Sequence, residues 1–157
     1  MDQIAMQLAL DELGVPVLPC VSCKQPYAYA VMEGLCDGFN KAYGTDYRGD
    51  LLLHAGLSWD ELFPYQTVYR DGMRWRVFDW VNGRPAQVPD CVAHGMIVGV
   101  VELLDVTTDT SSAAHLPGYH YWRIGNARPF DRPVPWRGLR GVFDVPTGAV
   151  PEVRARR

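Results

Sequence analysis

The residues of this chain best suited to chemistry gather between positions 20 and 56. Both of its lysines, Lys24 and Lys41, fall there, while the other thirteen cations are arginine. Lys24 and Gln25 precede Pro26, and proline is tolerated as a first helical residue because its missing N–H would be unpartnered there anyway. Exposed N–H groups and the positive end of a helix attract an anion, so phosphate is the natural partner at that point. Arg48 stands on a turn before an apolar run, and its planar fork can hold phosphate through two hydrogen bonds. Lys41 adds a point charge, and Asn40 can hydrogen-bond a base edge. Tyr27, Tyr47 or Trp122 could offer a ring for stacking on a base. Trp122 lies between apolar neighbours on a strand pattern and reads first as core.

Other reactive types have plainer readings. Cys20 and Cys23 form a C-x-x-C, half of a zinc site, and only Cys91 with His94 could complete it. Small buried hydrophobes in a reducing compartment are the simpler account, and no metal or cofactor is expected. His94, His115 and His120 lack the short spacings of metal ligands. Cys36 would need a base or a lowered pKa to act as a nucleophile, and His54 could approach it only through the fold. The catalytic residue is therefore left unassigned. Glu102 lies in the most apolar stretch of the chain and reads as a solvent-facing or paired structural acid.

The elements that must position these residues follow from hydrophobic spacing. Residues 2–13 read as an amphipathic helix ended by Gly14, and residues 15–23 as an extended lead-in and first strand. A second helix begins at Pro26 and stops at Gly34. Leu51, Leu52 and Leu53 form a short strand, and Ser58 to Glu61 resembles a capping box opening another helix. Residues 57–89, rich in arginine and tryptophan, read as an excursion from the main body. Residues 95–106 are nearly unbroken in apolar character, which predicts a strand buried on both faces. Residues 120–124 and 139–145 are further strands around a proline-rich turn, and a basic tail over 147–157 is expected to fray.

At 157 residues, 48% hydrophobic and 21% charged, the chain fits one domain with a real core. Its apolar runs are too short for a membrane helix, and no signal segment is visible at the N-terminus, so a cytoplasmic location is expected. Residues 1–122 carry net −8 and residues 123–157 net +5. An acidic body with a basic C-terminal part permits a polyanion partner, although arginines spread over turns also make an ordinary solvated surface.

Four blocks, in order, resemble the ASCH family, a domain first named from a transcription coactivator and part of the PUA-like superfold. Ser22-Cys23-Lys24-Gln25-Pro26-Tyr27-Ala28 with Glu33-Gly34 is similar to S-x-x-Q-P-W/Y-A…x-G. Tyr47-Arg48-Gly49-Asp50-Leu51-Leu52-Leu53-His54-Ala55-Gly56 is similar to Y-R-G-x-L-L-I-H-A. Gly95 to Leu103 and then Tyr121 to Pro129 with Pro135 to Phe143 carry the other two. Together the blocks span residues 21–145. The resemblance implies an α+β fold, a small PUA-like β-barrel with one to three packed helices, preceded by a separate segment at 1–20. It also implies a ligand cleft between the helix and the barrel, lined by Lys24, Gln25, Pro26, Tyr27, Asn40, Lys41, Arg48 and His54. The partner it implies is RNA or another single-stranded nucleic acid, or a nucleotide-like small ligand.

The family's G-x-K-x-x-E-x-R motif is altered here, with Cys36, Phe39 and Lys41 at the lysine, glutamate and arginine positions. One branch uses that lysine to hydrolyse the amide of an acetylated cytidine, and Cys36 does not carry that chemistry over. Two readings stand side by side. One is a nucleic-acid-binding module. The other is an enzyme acting on RNA or a modified nucleoside, of ribonuclease or amidohydrolase type. A third places the aromatic residues between Trp75 and Trp80 against a protein partner.

Overall fold

The computed structural model describes residues 13–59, 67–70, 73–76, 80–81, 84–85, 92–110 and 115–155. The helix expected over residues 2–13 falls outside them except for Leu13, as do Asp60, Glu61 and Cys91. The centre is a six-stranded mixed sheet in the order β10-β1-β3-β8-β9-β2. Its strands are β1 (Val17–Gln25), β2 (Gly38–Lys41), β3 (Gly49–Trp59), β8 (Met96–Thr107), β9 (His120–Pro135) and β10 (Phe143–Pro146). β1 runs parallel to β3, and the other ladders are antiparallel. Two small hairpins, β4 (Thr67–Arg70) with β5 (Met73–Arg76) and β6 (Trp80–Val81) with β7 (Arg84–Pro85), form separate two-stranded sheets within the expected excursion. No helix among the described residues is long and apolar enough to cross a membrane.

Burial on both faces explains the apolar runs. Successive side chains of a strand point to opposite faces. Val21, Cys23, Leu51, Leu53, Val101 and Leu103 enter one buried cluster, which the helix and Trp122 complete. Cys20, Leu52, Ile97 and Val100 enter a second, with Phe130, Phe143 and Val145. Cys20 and Cys23 therefore stand in different clusters, and the C-x-x-C is split across the sheet.

The first described helix, α1 (Tyr27–Met32), is only six residues long. Its end follows the expected glycine stop. Gly34 takes φ +72°, its N–H donates to Val31 O at 3.1 Å, and Leu35 N–H donates to Ala30 O at 2.8 Å. That pair of bonds satisfies the last carbonyls in the manner of a glycine-terminated helix.

Three expectations are corrected by long-range pairing. The strand at Leu51 to Leu53 extends to eleven residues, so Ser58 and Trp59 lie in β3 rather than at the start of a helix. The proline-rich turn after residue 124 lies within the sixteen-residue β9. The β8–β9 ladder is interrupted at three places, and Pro133 falls in one of them, where no ladder N–H is required. The tail expected to fray is docked over its described residues, 147–155. Thr147–Ala149 forms a 3₁₀ turn, and Glu152–Ala155 a short helix, α2. Val150 and Val153 are buried in the second cluster. The Glu152 carboxylate accepts the backbone N–H groups of Asp131 at 2.8 Å and Arg132 at 3.0 Å.

Candidate functional site

Two adjoining clefts open where the C-terminal part of β3 meets β1. One, of about 500 Å³, is lined by Ser22, His54, Gly56 and the loop from Trp136 to Arg140. The other, of about 480 Å³, adds Lys24, Lys41 and Tyr43. Ser22, Gly56, Leu139 and Arg140 line both, which makes them one continuous depression. Its cations are Lys24, Lys41, Arg137 and Arg140, and none of the described residues lining it is acidic.

The floor is set by strand register. Ser22 and His54 are direct partners in the parallel β1–β3 ladder, so both side chains leave the same face. Ser22 Oγ lies 2.8 Å from His54 Nδ1, and His54 Nε2 lies 2.8 Å from the carbonyl oxygen of Trp136. A carbonyl only accepts, so Nε2 carries the proton and Nδ1 accepts from the serine hydroxyl. Gly138 passes directly over this pair. A Cβ there would lie 2.6 Å from His54 Cε1 and 2.9 Å from Ser22 Oγ, so only glycine lets the loop run this close. The adjoining loop is held by Gly95 N–H donating to Ala55 O at 2.7 Å and Trp136 N–H donating to Gly95 O at 3.2 Å.

The sequence-predicted site residues divide into three groups. Lys24, Lys41 and His54 come together in the cleft. Lys41 crosses from the far edge of the sheet, and its Nζ donates to the backbone carbonyl of Ser22.

Gln25, Pro26 and Tyr27 serve the frame. The Gln25 side chain is buried, with Nε2 donating to Ala93 O at 2.7 Å and Oε1 accepting the Tyr29 N–H at 3.0 Å. An N–H of the first helical turn is thus taken by Gln25 itself, and this corrects the anion site expected at the helix start. Pro26 precedes the helix and gives its carbonyl to Ala30 N–H at 2.9 Å, while Tyr27 is buried in the first cluster, away from any stacked base.

Asn40 and Arg48 lie elsewhere. Asn40 Oδ1 accepts the Leu116 N–H at 2.9 Å. Arg48 folds onto its own turn, donating to Thr45 O and Tyr47 O, with Asp105 at 3.6 Å. It precedes β3, whereas the cleft lies six residues along that strand, roughly 20 Å away at 3.3 Å per residue. Its expected place in the site is corrected accordingly.

Other candidates resolve in the same way. Trp122 is fully buried, and its Nε1–H donates to Tyr43 O at 3.0 Å. Tyr47 donates its hydroxyl to Asp50 O at 2.6 Å. Burial, reinforced by Asp37 and Cys23, pushes the Cys36 thiol far above its ordinary range. Since both ring nitrogens of His54 are engaged with Ser22 and Trp136, a Cys36–His54 pair does not form. Sequence reasoning missed Ser22, Arg137, Gly138 and Arg140 as site residues. The one usable signal was that Gly138 sits in a conspicuous W-R-G-L-R-G run.

Burial lowers the His54 pKa from its ordinary 6.5, and the Trp136 carbonyl opposes this only in part. Between the folded value and 6.5 the unfolded chain binds a proton that the folded chain does not. His54 therefore contributes stability that is whole above about pH 6.5 and is lost as pH falls through the window below it. The thermal midpoint is expected to drop between about pH 7 and pH 5, and to drop less in His54→Gln, which has nothing to protonate. Equal slopes for the two proteins would contradict a neutral, buried imidazole.

No family model and no curated protein matches the chain in sequence.

Proposed function

We propose that this cleft binds a phosphate-bearing ligand, RNA foremost, in a domain of PUA-like ASCH type. The observation that carries the reading is charge segregation. A chain of net −3 places four cations and, among the described residues, no carboxylate around one depression. Tyr43 and Trp136 line the same depression and offer rings on which bases can stack. The reach of Lys41 from edge strand β2 to β1 supports a sheet curled toward a barrel. The four sequence blocks support the family reading, although Arg48 and Gln25 of those blocks serve structure here.

The test is binding of short single-stranded RNA across a salt series, followed by fluorescence anisotropy. Lys24→Ala with Arg140→Ala is expected to weaken binding about tenfold per lost contact at low salt. The slope of log K against log salt should shrink by roughly 1.4 for two lost phosphate contacts. Arg48→Ala should bind as the native chain does. Loss of binding in Arg48→Ala alone would place the site at the wrong end of β3.

The rival reading, an enzyme acting on RNA or a modified nucleoside, is favoured by one observation, the contact between Ser22 and His54 at the bottom of the cleft.

A further inference from the structure

We infer that Ser22 and His54 form a nucleophile–base pair that hydrolyses carboxylic esters carrying a phosphate group. The phosphate preference rests on the cleft proposed above, and the acyl transfer rests on the pair alone.

The geometry meets the requirements of an activated serine. The nucleophile needs a base within hydrogen-bond reach, and the base needs a third group to hold its tautomer. Ser22 Oγ lies 2.8 Å from Nδ1, and the Trp136 carbonyl fixes the proton on Nε2 at 2.8 Å. Which ring nitrogen faces the serine is immaterial, provided that one accepts and the other donates to a fixed acceptor. The imidazole is neutral at physiological pH because burial disfavours its charged form. Ser22 is partly exposed and lines both clefts. A purely structural serine–histidine bond would not need to stand where two clefts join, beneath a loop that only glycine can bring so near.

The reaction balances with water as the sole co-reactant. Ser22 Oγ bonds to the acyl carbon while its proton passes to His54 Nδ1. Negative charge on the tetrahedral oxygen develops in the field of the cleft cations, among them Lys41, whose ammonium is held at the Ser22 carbonyl. The bond from the acyl carbon to the alcohol oxygen then breaks, and the departing alcohol takes the proton from Nδ1. Water next attacks the acyl-serine, with Nδ1 accepting its proton. Collapse returns the proton to Ser22 Oγ and releases the acid. The cations Lys24 and Arg140 would hold the phosphate of the substrate.

The full chain is treated with a neutral fluorophosphonate and the adduct located by peptide mass spectrometry. In parallel, hydrolysis of 4-acetoxyphenyl phosphate and phenyl acetate is followed. A single adduct on Ser22 is expected, with kcat/KM about tenfold higher for the phosphate ester. Ser22→Ala should lower turnover of both esters ~100-fold or more while the melting midpoint holds within a few degrees. Lys24→Ala with Arg140→Ala should raise KM for the phosphate ester alone. Absence of an adduct at Ser22, or turnover that survives Ser22→Ala, would overturn the acyl-transfer step. Equal rates for the two esters would overturn the phosphate preference, and with it the anion cleft, while leaving the pair itself standing.

Discussion

Trp122→Ala is expected to cost about 3–5 kcal/mol, the range for removing a large aromatic side chain from a well-packed core. Trp122 is wholly buried and is the largest side chain at the centre of the first cluster. It stacks against Phe39 at 5.7 Å, meets Tyr43 edge-on at 5.7 Å, and donates its indole N–H to the Tyr43 carbonyl. Alanine leaves a cavity between β9 and β2 and strands that carbonyl without a donor. A domain of this size is stable by roughly 5–15 kcal/mol, so the variant is left marginal. With a urea slope near 2 kcal/mol per molar, the midpoint should fall by roughly 2 M. Trp122→Phe, which refills most of the space, should lose about half as much. An unchanged midpoint in Trp122→Ala would show that this cluster is not what holds β2 to the sheet.

Gly38→Ala is the second large effect, because the obstacle is backbone. A Cβ at 38 would stand 2.4 Å from the Trp122 carbonyl oxygen and 2.6 Å from Tyr121 Cζ. Real Cβ atoms do not come so near, and the carbonyl belongs to the strand that Gly38 pairs beside, where Gly38 is partnered with Arg123. Relief requires β2 to lift. Overpacking of this kind costs about 1–3 kcal/mol and sometimes more. The functional consequence follows from what β2 carries. Lys41, three residues on, would lose its contact with the Ser22 carbonyl, and the cleft would lose one cation in place. Amide exchange in residues 38–41 should accelerate, and affinity for single-stranded RNA should fall with it. Normal exchange protection with weakened binding would mean that Lys41 is displaced by some route other than the strand. Gly38 lies against the backbone carbonyl of Trp122 itself, so their effects should not add in a double variant.

What the sequence by itself determined about this protein is its local grammar. The apolar run at 95–106 announced a strand that is covered on both faces as far as Leu103, because such a strand has no need of polar alternation, while Leu104 and Asp105 are exposed. Gly34 announced the end of α1, because only glycine sits comfortably at φ +72°. Lys24, Lys41 and His54 stood out by type and place, and they do share the cleft.

Tertiary structure alone decided the rest. Ser22 and His54, thirty-two positions apart, become partners through a parallel register, and a slip of one residue would turn them to opposite faces. Arg137, Gly138 and Arg140 reach the cleft by a loop whose destination no local pattern encodes. Arg48 and Gln25 looked like ligands by residue type. Strand length carried the first roughly 20 Å from the cleft, and burial consumed both ends of the second in bonds to Ala93 and Tyr29. β2 and the extension of β9 through its prolines were hidden for a related reason. A four-residue strand has too little periodicity to be seen, and a proline is excluded from a strand only where the ladder needs its missing N–H. Side-chain spacing records which face a residue takes, whereas the partner across that face is set by pairing between distant segments.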